Sequence, residues 1–354
     1  GDIQIKLVAM FASGEHDSNT FKVAKYMGTD SISSAYTFTI TLMSQDATIE
    51  GDTLVNKGAT LLLRRYGQFF PYSGIITSFK YIETTVDYST YEVVLRPTLF
   101  LLDFTDQSRV FLKKSIPDII QEVLDGAGLK MYYEMQVGSY PPRDYVVQYQ
   151  ESDFQFINRL MEECGIWYFF SEDPIPEDTA GAVTSEKMII TDVGREFKDF
   201  TTKPIIKYRS KSGLVDHAGG EHKETVYRLE AQQNLIPNSV MVKNYNYRTP
   251  EIDLSATEEN EGGDKGEVYR YGGSYRDIAG AQDEAKLISK SHVINKTTLS
   301  GASNCAGFRS GTLFTLEEHT RTSMNKIYLL TKVEHSGVDP YFLQTRQSNV
   351  YKNE

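Results

Sequence analysis

The stretch Arg143-Asp-Tyr-Val-Val-Gln-Tyr-Gln-Glu-Ser-Asp-Phe-Gln-Phe-Ile-Asn-Arg-Leu-Met-Glu-Glu-Cys-Gly-Ile-Trp-Tyr-Phe-Phe170 reads as strand, helix and strand in succession. Tyr145, Val147 and Tyr149 recur at every second position, the period of a pleated strand. From Ser152 the period lengthens. Phe156, Ile157, Leu160, Met161 and Cys164 then make one stripe on a helix, which Gly165 stops. Ile166 to Phe170 is a short apolar run of the kind that forms a buried strand. Upstream, Ser115 caps a second helix whose first turn holds Asp118 and whose stripe is Ile116, Ile119, Ile120, Val123 and Leu124. Gly126 and Gly128 end it. Residues 107–199 therefore form a small α/β middle unit.

On either side the period returns to two. Tyr36-Thr37-Phe38-Thr39-Ile40-Thr41-Leu42 alternates without a break, placing Thr on one face and apolar groups on the other. Ile75, Thr77, Phe79 and Tyr81 share a face opposite Ser78 and Lys80, and Tyr91–Leu95 follows after a polar turn. Residues 1–106 read as an antiparallel β-barrel or sandwich with short loops, taken as the first barrel. Beyond Phe170 comes an acidic Pro/Gly loop, Ser171 to Gly181. Strand-like stretches follow at Met188–Thr191, Pro204–Arg209, Thr225–Glu230 and Ser239–Tyr247. Residues 251–299 read as an inserted loop and helix: Glu258 to Lys265 is charged and glycine-rich, and Ala279–Ser291 puts Ala281, Ala285 and Ile288 on one side. From Thr312 to Val350 the alternation resumes, Ile327, Leu329, Thr331 and Val333 opposing Tyr328, Leu330, Lys332 and Glu334.

The two β-rich ends also resemble each other. Lys57-Gly-Ala-Thr-Leu-Leu-Leu63 parallels Ser310-Gly-Thr-Leu-Phe-Thr-Leu316, and Ile75-Ile-Thr-Ser-Phe79 parallels Leu329-Leu-Thr-Lys-Val333. Gly58 and Thr77 lie 19 residues apart and Gly311 and Thr331 lie 20 apart, a difference that one hairpin loop absorbs. A second, discontinuous β-barrel from 200–250 and 300–354 is the expectation. The fold class is mainly β with an α+β insertion: two related antiparallel barrels in one chain. The 23 Tyr and 18 Phe suit such pleated surfaces.

With 354 residues the chain exceeds one typical domain. Its formal charge of −11 argues against recognising nucleic acid or anionic lipid through general charge. Apolar runs such as Leu99–Leu102 and Ile166–Phe170 are far below the ~20 residues of a membrane span. No signal peptide opens the chain, and Gly1 in place of Met reads as a trimmed end. Cys164 and Cys305 cannot build a disulfide framework and read as reduced thiols of a protein made in the cytoplasm.

Residue types and spacings that could carry chemistry are each better explained by structure. His217 and His222, with Asp216 and Glu221, come nearest to a metal cluster, but their five-residue step lacks helical ligand geometry, so a solvated loop is expected. Glu162-Glu163 on a helix point about 100° apart, which disfavours an acid/base pair, and Glu258-Glu259 read as an exposed loop run. Gly262-Gly263 and Gly272-Gly273 lack the spacing and Lys of a phosphate loop, and His16-Asp17-Ser18 are triad letters without triad geometry. Neither cysteine has a neighbouring histidine to activate it. No catalytic, cofactor-binding or metal residue is assigned.

The segment 143–170 resembles the hallmark strand–helix–strand of VgrG proteins, the spike proteins of type VI secretion. Further resemblances run in the same order: Phe70-Pro-Tyr-Ser-Gly-Ile-Ile-Thr-Ser-Phe79, Leu95-Arg-Pro-Thr-Leu-Phe-Leu-Leu102, Lys243-Asn-Tyr-Asn-Tyr-Arg-Thr-Pro250, Tyr269-Arg-Tyr-Gly-Gly-Ser-Tyr275 and Tyr328-Leu-Leu-Thr-Lys-Val-Glu-His335. The family continues into an oligonucleotide/oligosaccharide-type barrel and a β-helix needle. This chain ends at Glu354, about where those parts begin, and so looks like the base of the spike, similar to a contractile-phage tail hub. The resemblance implies a homotrimer whose paired barrels make a pseudo-sixfold ring. It further implies as partners a hexameric tube protein of the Hcp kind, baseplate components and a C-terminal needle. No cofactor is implied. Assembly in the bacterial cytoplasm and translocation on firing are likewise implied. A contractile-phage baseplate hub is the alternative within this class, and a carbohydrate-active enzyme is the competing reading from another.

Overall fold

A computed structural model describes residues 9–16, 19–65, 68–176, 183–192, 198–199, 205–210 and 224–339. The first strands are β1 (Ala9–Ser13), β2 (Lys22–Ser31), β3 (Thr37–Ser44), β4 (Gly58–Arg65), β5 (Gln68–Thr84) and β6 (Ser89–Arg96). Then come β7 (Asp106–Lys114), α1 (Ile116–Gly126), β8 (Tyr133–Gln136), β9 (Arg143–Ser152), α2 (Asp153–Cys164), β10 (Trp167–Ser171), β11 (Ile175–Pro176), β12 (Lys187–Thr191) and β13 (Lys198–Asp199). The remainder is β14 (Ile205–Tyr208), β15 (Thr225–Gln233), β16 (Ser239–Asn244), β17 (Leu254–Glu259), β18 (Glu267–Tyr271), α3 (Ile278–Ile294), β19 (Thr297–Ser303), β20 (Thr312–Glu317), β21 (Ile327–Leu329) and β22 (Lys332–Val338). The chain divides into two compact units: residues 1–205, 305–316 and 323–354, and residues 206–304 and 317–322.

In the first unit a curled sheet runs β1-β4-β5-β6-β3-β2-β22, with β11 on β5. The unbroken alternation of β3 does what its sequence requires: Tyr36, Phe38, Ile40 and Leu42 are buried. β5 departs from expectation. A bulge at Thr77 shifts the register between Ile76/Leu95 and Ser78/Val94, so Ile76 rather than Ile75 enters the core, while Phe79 packs on Tyr91 beyond it. One extra residue reverses the parity of everything after it. Gly74 makes the close crossing possible, because a Cβ there would lie 2.1 Å from the carbonyl oxygen of Arg96.

The expected strand–helix–strand is present. Ser152 and Gln155 form a capping box on α2 (3.1 and 3.3 Å), and Gly165 ends it in the left-handed region. Ser115 and Asp118 do the same for α1, with Pro117 in its first turn. Both helices add their stripes to the same core as the curled sheet, Phe111 stacking on Phe156. β10, β12 and β8 form a small sheet beside them, and β7 with β9 an antiparallel ribbon.

The repeated sequence is a repeated hairpin. Gly58 pairs with Ile75 across β4 and β5, and the amide of Gly311 donates to the carbonyl of Leu330 at 2.8 Å, continuing the β20–β21 ladder. Past that point the copies diverge. The sequence groups all of 300–354 with the second barrel, whereas Lys332–Val338 pairs antiparallel with β2, Lys332 opposite Ser31 and Val338 opposite Lys25. A break after Leu330 frees the strand to change ladders, and period-two alternation carries no sign of which ladder receives it.

In the second unit β15 pairs with β14 and β19, while β16, β17 and β18 make a three-stranded sheet covered by α3. Residues 251–299 are therefore not a mere insertion. Their strands complete the sheet begun by β16, with Val240, Val242 and Leu254 buried against Ala281, Ala285 and Ile288. Glu258 and Glu259 end a strand rather than lie in a loop.

Candidate functional site

Two features of the first unit stand out from ordinary core packing. The first is a buried charged cluster. Asp30, next to last in β2, accepts from the amide and hydroxyl of Ser310 at 2.9 and 2.7 Å, and from the Tyr72 hydroxyl at 3.3 Å. Arg309 donates to the carbonyl of Pro71, stacks 4.1 Å above the Tyr72 ring and lies 3.8 Å from the Glu172 carboxylate. Glu172 also accepts from the Ser73 amide at 3.0 Å, and Glu186 accepts from the Thr98 amide at 2.6 Å. His335 Nε2 sits 2.8 Å from the Phe308 carbonyl and 3.2 Å from the Tyr72 hydroxyl.

Burial sets the electrostatics here. It pushes the Tyr36 and Tyr72 hydroxyls well above the usual phenol range and raises the Glu172 carboxyl despite the nearby Arg309. His335 is pulled below the ordinary imidazole value by burial, so it is neutral at physiological pH. Burial alone would lower Arg309, but Tyr72, Glu172 and Asp30 more than offset it. These groups are packed and hydrogen-bonded inside the unit, and the cluster works as a clasp. It fastens residues 305–316 and β22 to the curled sheet.

The second feature is the outer face of the β7–β9 ribbon. Arg109, Phe111, Val146 and Gln148 point inward, where Gln148 bonds Arg109 and Asp153. The opposite face carries Val110, Leu112, Tyr145, Val147 and Tyr149, exposed by 61, 63, 64, 40 and 69%. Val110 lies directly opposite Val147, and Leu112 opposite Tyr145, so the five form one apolar surface. The alternation of Tyr145, Val147 and Tyr149 thus marks an outside rather than a core.

Among the described residues, the acidic, thiol, imidazole and glycine positions singled out in the sequence lie apart from one another, except where they are near neighbours in the chain. Glu163 is held by Arg143 and Arg159 at 2.8 and 3.1 Å. Glu162 lines an open groove of about 630 Å³ beside α2 with Phe154, Arg159 and Trp167. Cys164 is half-buried and burial raises its thiol, while Cys305 is buried. His16 packs on Phe21, and His319 on Tyr208. Gly272 and Gly273 do precede α3, but Asp277 caps that helix by accepting from the Gly280 amide at 2.8 Å, a carboxylate where an anion would sit. Asp216, His217, Glu221 and His222, as well as Asp17 and Ser18, lie outside the described residues. Among the described residues no group of three or more His, Cys, Asp or Glu could hold a metal ion. Sequence reasoning missed the Asp30–Arg309 clasp entirely, since its members are scattered from β2 to β22.

The chain is mainly β, with two curled half-barrel sheets and a capped α/β unit, the architecture of phage tail hub structures. Residues 29–341 match the family model of the phage tail baseplate hub (GPD), and the chain belongs to that family. It is 27% identical over 336 residues to the type VI secretion system spike protein VgrG5 of Pseudomonas aeruginosa, covering 93% of this chain and 40% of that one. It is 25% identical to the actin cross-linking toxin VgrG1 of Vibrio cholerae, covering 93% and 30%. The chain thus spans well under half the length of these curated relatives. Among solved structures, the E. coli c3393 protein superposes with a TM-score of 0.66 at 19% identity, over 90% of this chain and 71% of the other. It is described as a type VI secretion component similar to the T4 tail proteins gp27 and gp5. The 43 kDa tail protein of prophage MuSo2 from Shewanella oneidensis superposes with 0.61 at 12% identity, over 94% of both chains. The hub fold and homology to spike proteins expected from residues 143–170 are borne out.

Proposed function

We propose that this chain is the base of a contractile injection spike, a non-enzymatic hub that joins a threefold spike to a sixfold tube. The carrying observation is the repeated hairpin, Gly58–Phe79 and Gly311–Leu330, within a chain of the hub family. Three copies, each bearing two such hairpins, give six similar units around an axis, which is how a trimer meets a hexamer. Its partners on this reading are two further copies, a hexameric tube protein and baseplate components. The spike assembles in the cytoplasm and leaves with the tube on firing.

A second reading, the hub of a contractile phage or phage-derived particle, draws on the tail protein that matches over 94% of both chains. The enzyme reading has the least support, because Glu163 is tied up in ion pairs. The test is to mix the chain with hexameric rings of a type VI tube protein and to image the tubes. Caps at one tube end are expected. A chain that neither caps nor co-sediments with the rings refutes the proposal.

A further inference from the structure

Resting on the hub reading, we propose that the outer face of the β7–β9 ribbon is a contact between copies of this chain. The surface is Val110, Leu112, Tyr145, Val147 and Tyr149, and its occupant is a second copy.

Three observations carry the assignment. The first is area. At these exposures the five side chains present about 600 Å², the upper end of the largest apolar patch on a monomer. A standard interface takes about 800 Å² from each partner, which the patch and its rim supply together. The second is composition. Two tyrosines beside aliphatic groups on a rigid ribbon match the apolar centre of an interface, where charge is depleted and aromatics are enriched. Such a face on a two-stranded ribbon is not needed for the fold, whose core lies on the other side.

The third is charge, and it selects the occupant. The chain carries −11, so two copies repel wherever acidic groups stand unpaired. Several acids near this ribbon are already held by cations of the same chain. Arg109 pairs with Asp153, Lys114 with Glu122, Arg143 with Glu163, and Arg159 with Glu151 and Glu163. Here one acidic chain can approach another with fewer unpaired like charges facing each other. A strongly basic or acidic partner would gain nothing from a rim already satisfied. In a closed ring the ribbon of one copy meets a different surface of the next, so each copy uses it once.

The test is mass by light scattering and sedimentation across a concentration series up to the solubility limit, for the full chain and two variants. Leu112→Glu/Tyr149→Glu puts charge on the face at positions not opposite each other. Val110→Thr/Val147→Thr keeps β propensity and removes apolar surface, which guards against a variant that fails to fold. The wild type is expected to self-associate. Both variants should keep its melting temperature, and the charged one should raise the association midpoint at least tenfold. Equal association by a folded charged variant, or a wild type monomeric throughout, overturns the proposal. The two readings separate cleanly. A wild-type dimer lost in the variants supports the ribbon contact while counting against a threefold hub, and tube caps formed equally by both variants preserve the hub while overturning the ribbon.

Discussion

Replacing Arg309 with Met tests whether the clasp is held by charge. Methionine keeps much of the packing over Tyr72 but removes the guanidinium 3.8 Å from Glu172, leaving a carboxylate whose side chain is 2% exposed without its cation. Removing one partner of a buried pair costs about 3–5 kcal/mol, because the survivor stays desolvated and uncompensated. At roughly 2–4 °C per kcal/mol for a unit of this size, the melting temperature should fall by about 10 °C. Adding Glu172→Gln should recover part of the loss, since the remaining group is then neutral and can still accept from the Ser73 amide. The pH dependence follows from the raised carboxyl of Glu172. A native pKa above the unfolded one means the folded state binds the proton more readily. Stability from this group is therefore greatest below the ordinary glutamate pKa and is lost as pH rises through the native value. The deficit of Arg309→Met should be smallest in acid and grow toward neutrality. Calorimetry and denaturant melts at several pH values measure it. A loss below about 1 kcal/mol, the worth of a solvated pair, or a double variant no better than the single one, refutes the reasoning.

His335 supplies the opposite limb. Its lowered pKa, caused by burial among Asp30, Arg309 and Tyr72, means stability is present above the ordinary imidazole value and is lost as pH falls through the native one. His335→Gln should flatten that loss in urea melts, and an unchanged acid slope would contradict it. Gly74→Ala should cost more than about 3 kcal/mol, combining a clash on the Arg96 carbonyl with a backbone angle of +149°, and soluble yield with melting temperature reports it. Ser152→Ala removes the acceptor for the Gln155 amide and a donor to Asp103, and should cost about 1–2 kcal/mol in a chemical melt.

How much of this was legible in the sequence depends on the range of the forces involved. α2 is readable because its cap, stripe and stop are local: Ser152, Phe156 to Cys164 and Gly165 act within four turns of chain. The core face of β3 is readable for the same reason. The ribbon is half readable. Alternation at Tyr145, Val147 and Tyr149 marks a strand with two faces, but the dry face contains Gln148, whose burial is made tolerable by Arg109 and Asp153. Those partners come from two other elements, so period two alone does not say which face is dry. The bulge at Thr77 and the transfer of β22 to the first sheet depend on pairings made far away in sequence. The clasp was invisible because Asp30 and Arg309 look like surface residues until the fold brings them together.

The pairing of β22 with β2 also sets a timetable. Ribosomes add about 5–20 residues per second, so β2 waits roughly fifteen seconds to a minute after its own synthesis before Lys332–Val338 emerges to cover it. Until then β2 is an open sheet edge, the kind of surface on which nascent chains pair wrongly with one another. A polysome making this protein carries many such edges at once. Slower elongation lengthens the time that this edge stands open, and faster elongation shortens it.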